Sequence, residues 1–186
     1  MNYLILFFYI IQRLFEVWLN AKNESKLKLK FKVNVVDLNE IKLLKLFHAL
    51  WFFMLLTESV YHGKIPALHW AIPIGIILFL AQVIRFHTIK TLGPFWTVQV
   101  LKIENQPIIS DRGLYRYIRH PNYLAVLLEF IFLPLLLGCC YTLVIGFVLK
   151  LIILKKRIIL EEATLSSTSS YQTIFKDKKR FIPKLF

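Results

Sequence analysis

Two long runs without a charged side chain, residues 65–84 and 130–149, constrain this sequence more than any other feature. A helix that crosses a bilayer needs about 20 mostly apolar residues, so runs of this length predict membrane spans. Hydrophobic residues make up 57% of the 186-residue chain, above the roughly 45–50% that is typical of soluble domains. The sequence therefore indicates an integral membrane protein.

Five membrane-spanning helices are predicted, in an all-α fold of one domain that covers residues 1–186. Pro134 and Gly138 interrupt the second apolar run, which we divide between two helices joined by a tight turn. Two weaker apolar segments precede the first run, and the earlier one contains Arg13 and Glu16, which are close enough in sequence to pair across one helical turn. The predicted spans cover about residues 2–20, 41–60, 66–88, 121–137 and 141–159, with a tail at 160–186.

The orientation of these spans is predicted from the positions of the 24 Lys and Arg residues. Seven lie in residues 21–45, six in 85–119 and nine in 150–186, whereas the 59–69 loop has only Lys64. Cytoplasmic loops of membrane proteins carry an excess of Lys and Arg. The sequence thus predicts an N-terminus outside and a C-terminus in the cytoplasm.

Several classes of protein are disfavoured by the composition. A net charge of +13 on a soluble chain would suggest a nucleic-acid partner, but the apolar runs favour a bilayer partner and no nucleic acid. The six glycines form neither G-x-G-x-x-G nor a Walker loop. Cys139 and Cys140 are adjacent and the five histidines are scattered, so no metal site is predicted. The sequence makes no prediction of oligomeric state.

A segment with candidate functional residues precedes the predicted fourth span. Pro121 follows His120 where a helix would begin, and proline is favoured in the first helical turn. Free N–H groups and the positive end of the helix dipole would make an anion site there, beside Arg116 and Arg119. Charge alone leaves a second interpretation open, namely a basic collar at the lipid headgroups.

A second cluster lies at the cytoplasmic end of the predicted fifth span. Arg157 and Glu161 are four residues apart, hence on one helix face, and Glu162 follows. The acids could receive the ammonium and ribose hydroxyls of a cofactor whose carboxylate lies near His120. The alternative is a surface ion pair worth a few tenths of a kcal/mol.

Three motifs, in this order and spacing, resemble a known family. They are Gly113-x-Tyr115, Arg119-His120-Pro121-Asn122-Tyr123 and Arg157-x-x-x-Glu161-Glu162. Together they resemble the isoprenylcysteine carboxyl methyltransferase family of integral membrane enzymes, most firmly over residues 92–162. The bacterial branch, which includes methyltransferases of long-chain alkylpyrones and alkylresorcinols, is the most similar part of the family.

The resemblance implies S-adenosylmethionine as cofactor, bound on the cytoplasmic side by the last two helices and the segment before them. It also implies a lipophilic substrate that accepts the methyl group, with Arg157 facing this acceptor. A carboxyl acceptor needs no base, whereas a phenol or enol would need a proton acceptor, for which His120 and Glu162 are candidates; a phospholipid amine also stays open. The implied cofactor contacts are Gln99, Val100, Pro107, Ile108, Ile109, Ser110, Tyr115, His120, Pro121, Asn122, Tyr123 and Glu161.

Other charges near the spans have open roles. Glu129, two turns into the fourth span, must face protein or a cavity, either as a catalytic residue or as a structural contact. Gln82 and Arg85 close the third span and are expected at the membrane interface. Two other functions stay possible: a membrane reductase using a nicotinamide cofactor, and a non-enzymatic assembly or transport protein. The concentration of polar residues at one end argues against a transport path.

Overall fold

The computed structural model describes residues 2–62, 64–104 and 112–182, and it is 78% helical. Long helices dominate because apolar runs of this length satisfy their own backbone hydrogen bonds where water is absent. The helices of the described ranges are α1 (Asn2–Lys30), α2 (Leu38–Tyr61), α3 (Leu68–Leu92), α4 (Pro121–Leu137), α5 (Cys140–Thr168) and the short α6 (Tyr171–Phe175).

Among the described residues, α1, α2 and α3 are long and apolar enough to cross a membrane, and α4 is apolar but shorter. The predicted membrane protein is thereby confirmed in general, while the count of five spans stays a prediction. Two helices continue past their predicted spans: α1 ends at Lys30, not near residue 20, and α5 ends at Thr168, not near 159. Their polar final turns project beyond the apolar part of the bundle.

A small antiparallel ribbon departs from the all-α prediction. Strand β1 (Val33–Val35) pairs with β2 (Leu101–Ile103), with Val33 opposite Ile103. Leu27 packs against the β2 side chains in a small apolar cluster. The ribbon therefore ties the end of α1 to the segment that precedes α4.

The main core lies where α4 packs against α3 and α5, with α2 alongside. Phe130 of α4 is fully buried, and its ring stacks on Trp51 with 4.1 Å between centroids. A Cβ at Gly146 would lie 2.6 Å from the Trp51 ring, so glycine allows α5 to approach α2 closely. Large apolar side chains on the outer faces are exposed, as suits contact with lipid; they include Phe7, Phe53, Phe79, Phe86 and Val144.

The two ends of the bundle differ in chemistry. At one end, the turn between α4 and α5 contains Gly138, with φ of 71°, next to the Lys64 backbone. Glu58 caps α5 there by accepting hydrogen bonds from the backbone N–H groups of Tyr141 and Thr142, at 2.9 and 2.7 Å. At the opposite end lie the ribbon, the segment before α4 and the chain after α5. The cation-rich segments thus meet at one end of the molecule.

Candidate active site

A cavity of about 460 Å³ extends from the cation-rich end into the helix bundle. This volume lies within the range of about 300–1,000 Å³ that is common for small-molecule sites. Pro121 and Glu162 are adjacent in sequence to lining residues without lining the cavity, and Pro107, Ile108, Ile109 and Ser110 lie outside the described residues. The predicted residues that line it are Gln99, Val100, Tyr115, His120, Asn122, Tyr123, Arg157 and Glu161.

His120 is the N-cap residue of α4, which begins at Pro121 as predicted. The backbone N–H of His120 donates to the Arg180 carbonyl at 3.0 Å. Its ring stacks on that of Tyr123, with 5.2 Å between centroids, and Nε2 lies 2.9 Å from Glu162 Oε1. The His120 backbone is therefore held by Arg180, and the His120 ring is held by Tyr123 and Glu162.

Glu161 offers an accessible carboxylate in the cavity wall. One oxygen, Oε2, accepts a hydrogen bond from the Tyr123 hydroxyl. The other, Oε1, lies 4.0 Å from His120 Nδ1, too far for a hydrogen bond. The Glu161 side chain is 31% exposed, so one of its oxygens can receive a ligand.

Arg157 is buried and held from three directions. Its Nε donates to the Tyr123 hydroxyl at 2.9 Å, Nη1 donates to the Glu40 carboxylate at 2.8 Å, and Nη2 donates to the Val98 carbonyl. The surface pair with Glu161 is therefore not formed. Sequence reasoning missed Glu40, because the partner lies 117 residues away and no local spacing connects the two.

Glu162 is held by Arg180 and by the His120 ring. Arg180 donates to its Oε2 at 2.7 Å, and His120 lies on its other oxygen. Burial alone would raise the pKa of this carboxyl, but the hydrogen bonds from His120 and Arg180 lower the pKa to about 2. So strong an acid is a weak base, and the geometry therefore argues against Glu162 as a proton acceptor.

Glu129 belongs to a buried ion cluster that we define as Arg13, Glu16, Arg85 and Glu129. Arg85 donates to Glu129 at 2.6 and 3.1 Å, and Arg13 contacts both Glu129 and Glu16. Arg13 and Glu16 do pair across one turn, at 2.5 Å. Glu129 is 1% exposed and absent from the cavity wall, which favours its structural interpretation over the catalytic one.

Arg85, which is expected from the sequence at the membrane interface, has its side chain buried inside the bundle, where 3% of it is exposed. An arginine at the end of an apolar run fits the interface by pattern alone, but two carboxylates from other helices offset its burial. Arg85 also lines the inner part of the cavity.

The chain after α6, residues 176–182, folds back over the site, and we call it the closing segment. Arg119 Nε donates to the Lys178 carbonyl at 2.5 Å, and the Lys178 ammonium donates to the Tyr115 carbonyl at 3.0 Å. Phe181 packs against an apolar cluster that includes Tyr123. Burial also raises the pKa of the Tyr115 phenol above its usual range. From sequence alone this segment is part of a tail, and the aromatic Phe181 beside a basic run is the signal that could have indicated packing instead.

Polar atoms in the wall indicate what the cavity accepts. Within the described residues, Gln99 Oε1, Asn122 Oδ1 and the Tyr171 hydroxyl are buried without a hydrogen-bond partner, and all three residues line the cavity. Buried polar atoms nearly always have a partner, so these three favour a ligand with hydrogen-bonding groups. A polar cofactor such as S-adenosylmethionine fits them. The described residues contain no group of His, Cys, Asp and Glu that could hold a metal ion.

The fold and the site together define a class of protein: a multi-pass membrane protein with a largely apolar cavity at one end, in whose wall several charged and polar side chains lie. The sequence model of the isoprenylcysteine carboxyl methyltransferase family matches residues 73–167, just over half of the chain. The matched region runs from α3 to the end of α5 and includes His120, Arg157 and Glu161. The chain belongs to this family and is a membrane methyltransferase in general terms.

Two relatives extend the similarity beyond the matched region. A Bacillus subtilis (strain 168) protein named "Uncharacterized protein YpbQ" is 26% identical over 169 residues, which cover 91% of this chain and 99% of the relative. A Haemophilus influenzae protein named "Uncharacterized protein" is 29% identical over 156 residues, which cover 83% of this chain and 88% of the relative. Much of the chain outside the matched region is therefore shared with these proteins.

Proposed function

We propose that this protein transfers the methyl group of S-adenosylmethionine to a carboxyl or hydroxyl oxygen of a lipophilic acceptor that carries an isoprenyl or long alkyl chain. The observation that carries the proposal is a cavity with unpartnered polar atoms that lies among lipid-facing helices of a chain in this family. A polar cofactor and an apolar acceptor can meet at such a boundary. Both need the same cavity because the methyl group passes directly between them.

The cofactor's contacts are proposed for the end of the cavity near α4. Glu161 has an accessible oxygen for an ammonium group, and the amide oxygens of Gln99 and Asn122 are acceptors without partners. Bound there, S-adenosylmethionine would supply an electrophilic methyl group on a positively charged sulfur. The other proposed contacts, which rest on the family resemblance, are Val100, Pro107, Ile108, Ile109, Ser110, Tyr115, His120, Pro121 and Tyr123.

The acceptor's contacts are proposed for the region around Arg157, which lines the cavity while Glu40 and Tyr123 hold its guanidinium in place. A fixed cation can orient an oxygen anion for in-line transfer. We propose that the closing segment, which contacts His120 and Tyr115, limits the access of water, because exclusion of water strengthens electrostatic contacts. We assign positioning roles to Glu162, which holds His120, and to Glu129, which holds Arg85.

The membrane arrangement is part of the same proposal. We propose five spans within one domain of residues 1–186, with the N-terminus outside and the cavity on the cytoplasmic side. S-adenosylmethionine is made in the cytoplasm, so the proposed mouth faces its source. The bilayer would deliver the lipophilic acceptor.

Transfer of a labelled methyl group tests this function. Purified protein in detergent, given methyl-labelled S-adenosylmethionine and a lipid extract from cells that carry the gene, is expected to move label into the organic phase. Heat-denatured protein is the control. Absence of label in the organic phase, together with oxidation of a nicotinamide cofactor by the same sample, would contradict the proposal and favour the reductase alternative.

A further inference from the structure

The segment of residues 96–100 forms part of the cavity wall without regular secondary structure. All five of its residues line the cavity. A segment that belongs to neither a helix nor a strand lacks a hydrogen-bond ladder of its own, so its backbone groups need partners from elsewhere in the chain. Much of this support comes from one face of α1.

Two buried asparagines of α1 hold the backbone of this segment. Asn20 Oδ1 accepts a hydrogen bond from the Val98 N–H at 2.6 Å, and Asn23 Nδ2 donates to the Trp96 carbonyl at 2.8 Å. Arg157 Nη2 donates to the Val98 carbonyl from the other side. The segment is therefore tied both to α1 and to α5.

Glu24 lies four residues after Asn20, on the same helix face, and it holds the side chain of Gln99. Its Oε2 accepts a hydrogen bond from Gln99 Nε2 at 2.8 Å, while its Oε1 lies 2.7 Å from the Lys28 ammonium. A carboxylate accepts hydrogen bonds but donates none, so the Gln99 amide must turn its NH₂ group towards Glu24. This contact therefore decides which way round the amide lies.

The other end of the Gln99 amide is a hydrogen-bond acceptor. Gln99 lines the cavity, and among the described residues its Oε1 is buried without a hydrogen-bond partner. Buried acceptors normally have a partner, so this one favours a ligand group that donates. Since Glu161 is proposed to receive the ammonium of the cofactor, the donors that are left belong to its nucleoside part: the adenine amine and the ribose hydroxyls.

We propose that Glu24 is a positioning residue that fixes Gln99 as a hydrogen-bond acceptor for a donor group of the cofactor's nucleoside part. The inference rests on the proposed function and deepens it. Without the carboxylate, the Gln99 amide is free to turn over and to present its NH₂ group where the ligand needs an acceptor. The family model matches residues 73–167, and Glu24 lies outside that range.

A double-mutant cycle tests whether Glu24 acts through Gln99. The probe is S-adenosylhomocysteine, which carries no net charge, titrated by calorimetry into the purified protein in detergent. Gln99→Ala should weaken binding about tenfold and Glu24→Met roughly three- to tenfold, because the first removes one hydrogen bond and the second misdirects it. In the double variant the affinity should equal that of Gln99→Ala within about twofold, since Glu24 then has no amide to position. Losses that multiply in the double variant would show that Glu24 acts independently of Gln99 and would overturn the proposal.

An exchange of the two side chains tests the direction of the hydrogen bond. Gln99→Glu alone places two carboxylates against each other and should weaken binding at least tenfold. Addition of Glu24→Gln should restore the affinity to within about threefold of the parent, because the amide at position 24 then donates to the carboxylate at position 99, whose second oxygen still accepts. Lys28→Met removes the other, exposed partner of Glu24 and should bind like the parent. An exchange that restores nothing, or a Lys28→Met loss equal to that of Glu24→Met, would contradict the assignment.

Analogues of the probe distinguish the two sources of the donor. S-inosylhomocysteine has a carbonyl in place of the adenine amine, and the 2′-deoxy and 3′-deoxy forms of S-adenosylhomocysteine each lack one ribose hydroxyl. One of the three should bind to the parent about tenfold more weakly than the probe, and Gln99→Ala should remove that difference. Penalties that are the same in the parent and in Gln99→Ala would overturn the assignment of Gln99 to the nucleoside part.

The outcome for the parent protein separates this inference from the proposed function. Absence of binding of both S-adenosylmethionine and S-adenosylhomocysteine to the parent would contradict the proposed function itself. Binding to the parent together with unchanged affinity in Glu24→Met would overturn the role of Glu24 alone and would leave the methyltransferase function intact.

Discussion

At the scale of single residues, the ion pair between Arg157 and Glu40 links α5 to α2 beside the cavity, with Nη1 at 2.8 Å from the carboxylate. Both side chains are largely buried, with 7% and 14% of their surface exposed. A buried pair adds little net stability, but removal of one partner leaves the other uncompensated. Glu40 therefore fixes the position of Arg157. The pair adds little to the free energy of unfolding, but loss of either partner would lower that free energy.

A paired substitution tests this role. Arg157→Met should lower the free energy of unfolding by about 3–5 kcal/mol, because it leaves Glu40 buried and unpaired. Addition of Glu40→Gln to the same chain should restore part of that loss. Thermal unfolding in detergent measures both, and Lys156→Met, at an exposed neighbouring position, should change stability by less than about 0.5 kcal/mol. Losses that simply add in the double variant would show that the two side chains are not coupled.

Local sequence spacing identified residues at the mouth of the cavity, but it did not identify the contacts of the buried ion cluster. His120, Tyr123 and Glu161 belong to short motifs, and short motifs identify residues that one or two helical turns bring together. Arg85 and Glu129 are 44 residues apart, and their contact depends on how α3 packs against α4. No periodicity in a single segment contains that information.

At the scale of elements, the apolar runs predicted where the helices lie because lipid requires every backbone group to be bonded within its own helix. They did not predict the polar extensions of α1 and α5, since charged turns can continue a helix once it leaves the bilayer. The three-residue strands β1 and β2 are too short to give a periodic signal. The closing segment was missed because its contacts join residues far apart in sequence, such as Arg119 with Lys178 and Glu162 with Arg180, which no local spacing connects.

Phe181 anchors the closing segment, and its removal is expected to loosen that segment. It is half-buried against the cluster of Tyr123, Leu154 and Ile158. Phe181→Ala should accelerate cleavage by trypsin among the four basic residues just before it, while the helix content by circular dichroism stays unchanged. Ile182→Ala, at a position that is 67% exposed, is the control and should cleave at the parent rate. Equal cleavage of the two variants would contradict the anchoring role.

At the scale of the whole molecule, the two ends differ in charge. The three cation-rich segments meet at the end that holds the cavity mouth. Glu58, His62 and Cys140 lie at or near the other end, where Cys140 is exposed. Because cytoplasmic loops carry the excess of Lys and Arg, this asymmetry predicts which end faces the cytoplasm.

Labelling with an impermeant thiol reagent checks the orientation. Cys140 should react in intact cells, and Cys140→Ser should abolish that reaction because Cys139 is buried. In the Cys140→Ser chain, His62→Cys should restore labelling, whereas Lys30→Cys should react only after the cells are permeabilised. Reaction of Lys30→Cys in intact cells, with none at His62→Cys, would invert the proposed topology.

Binding of S-adenosylmethionine to the purified protein in detergent, measured by calorimetry, tests the central claim most directly. The parent protein should bind it, and Glu161→Gln should weaken binding roughly ten- to a hundredfold, since a hydrogen bond to a charged group contributes about 1.5–3 kcal/mol. Glu104→Gln, at an exposed carboxylate outside the cavity wall, should bind like the parent. Equal affinity in the parent, Glu161→Gln and Glu104→Gln would place the cofactor elsewhere, and absence of binding to the parent would contradict the methyltransferase account.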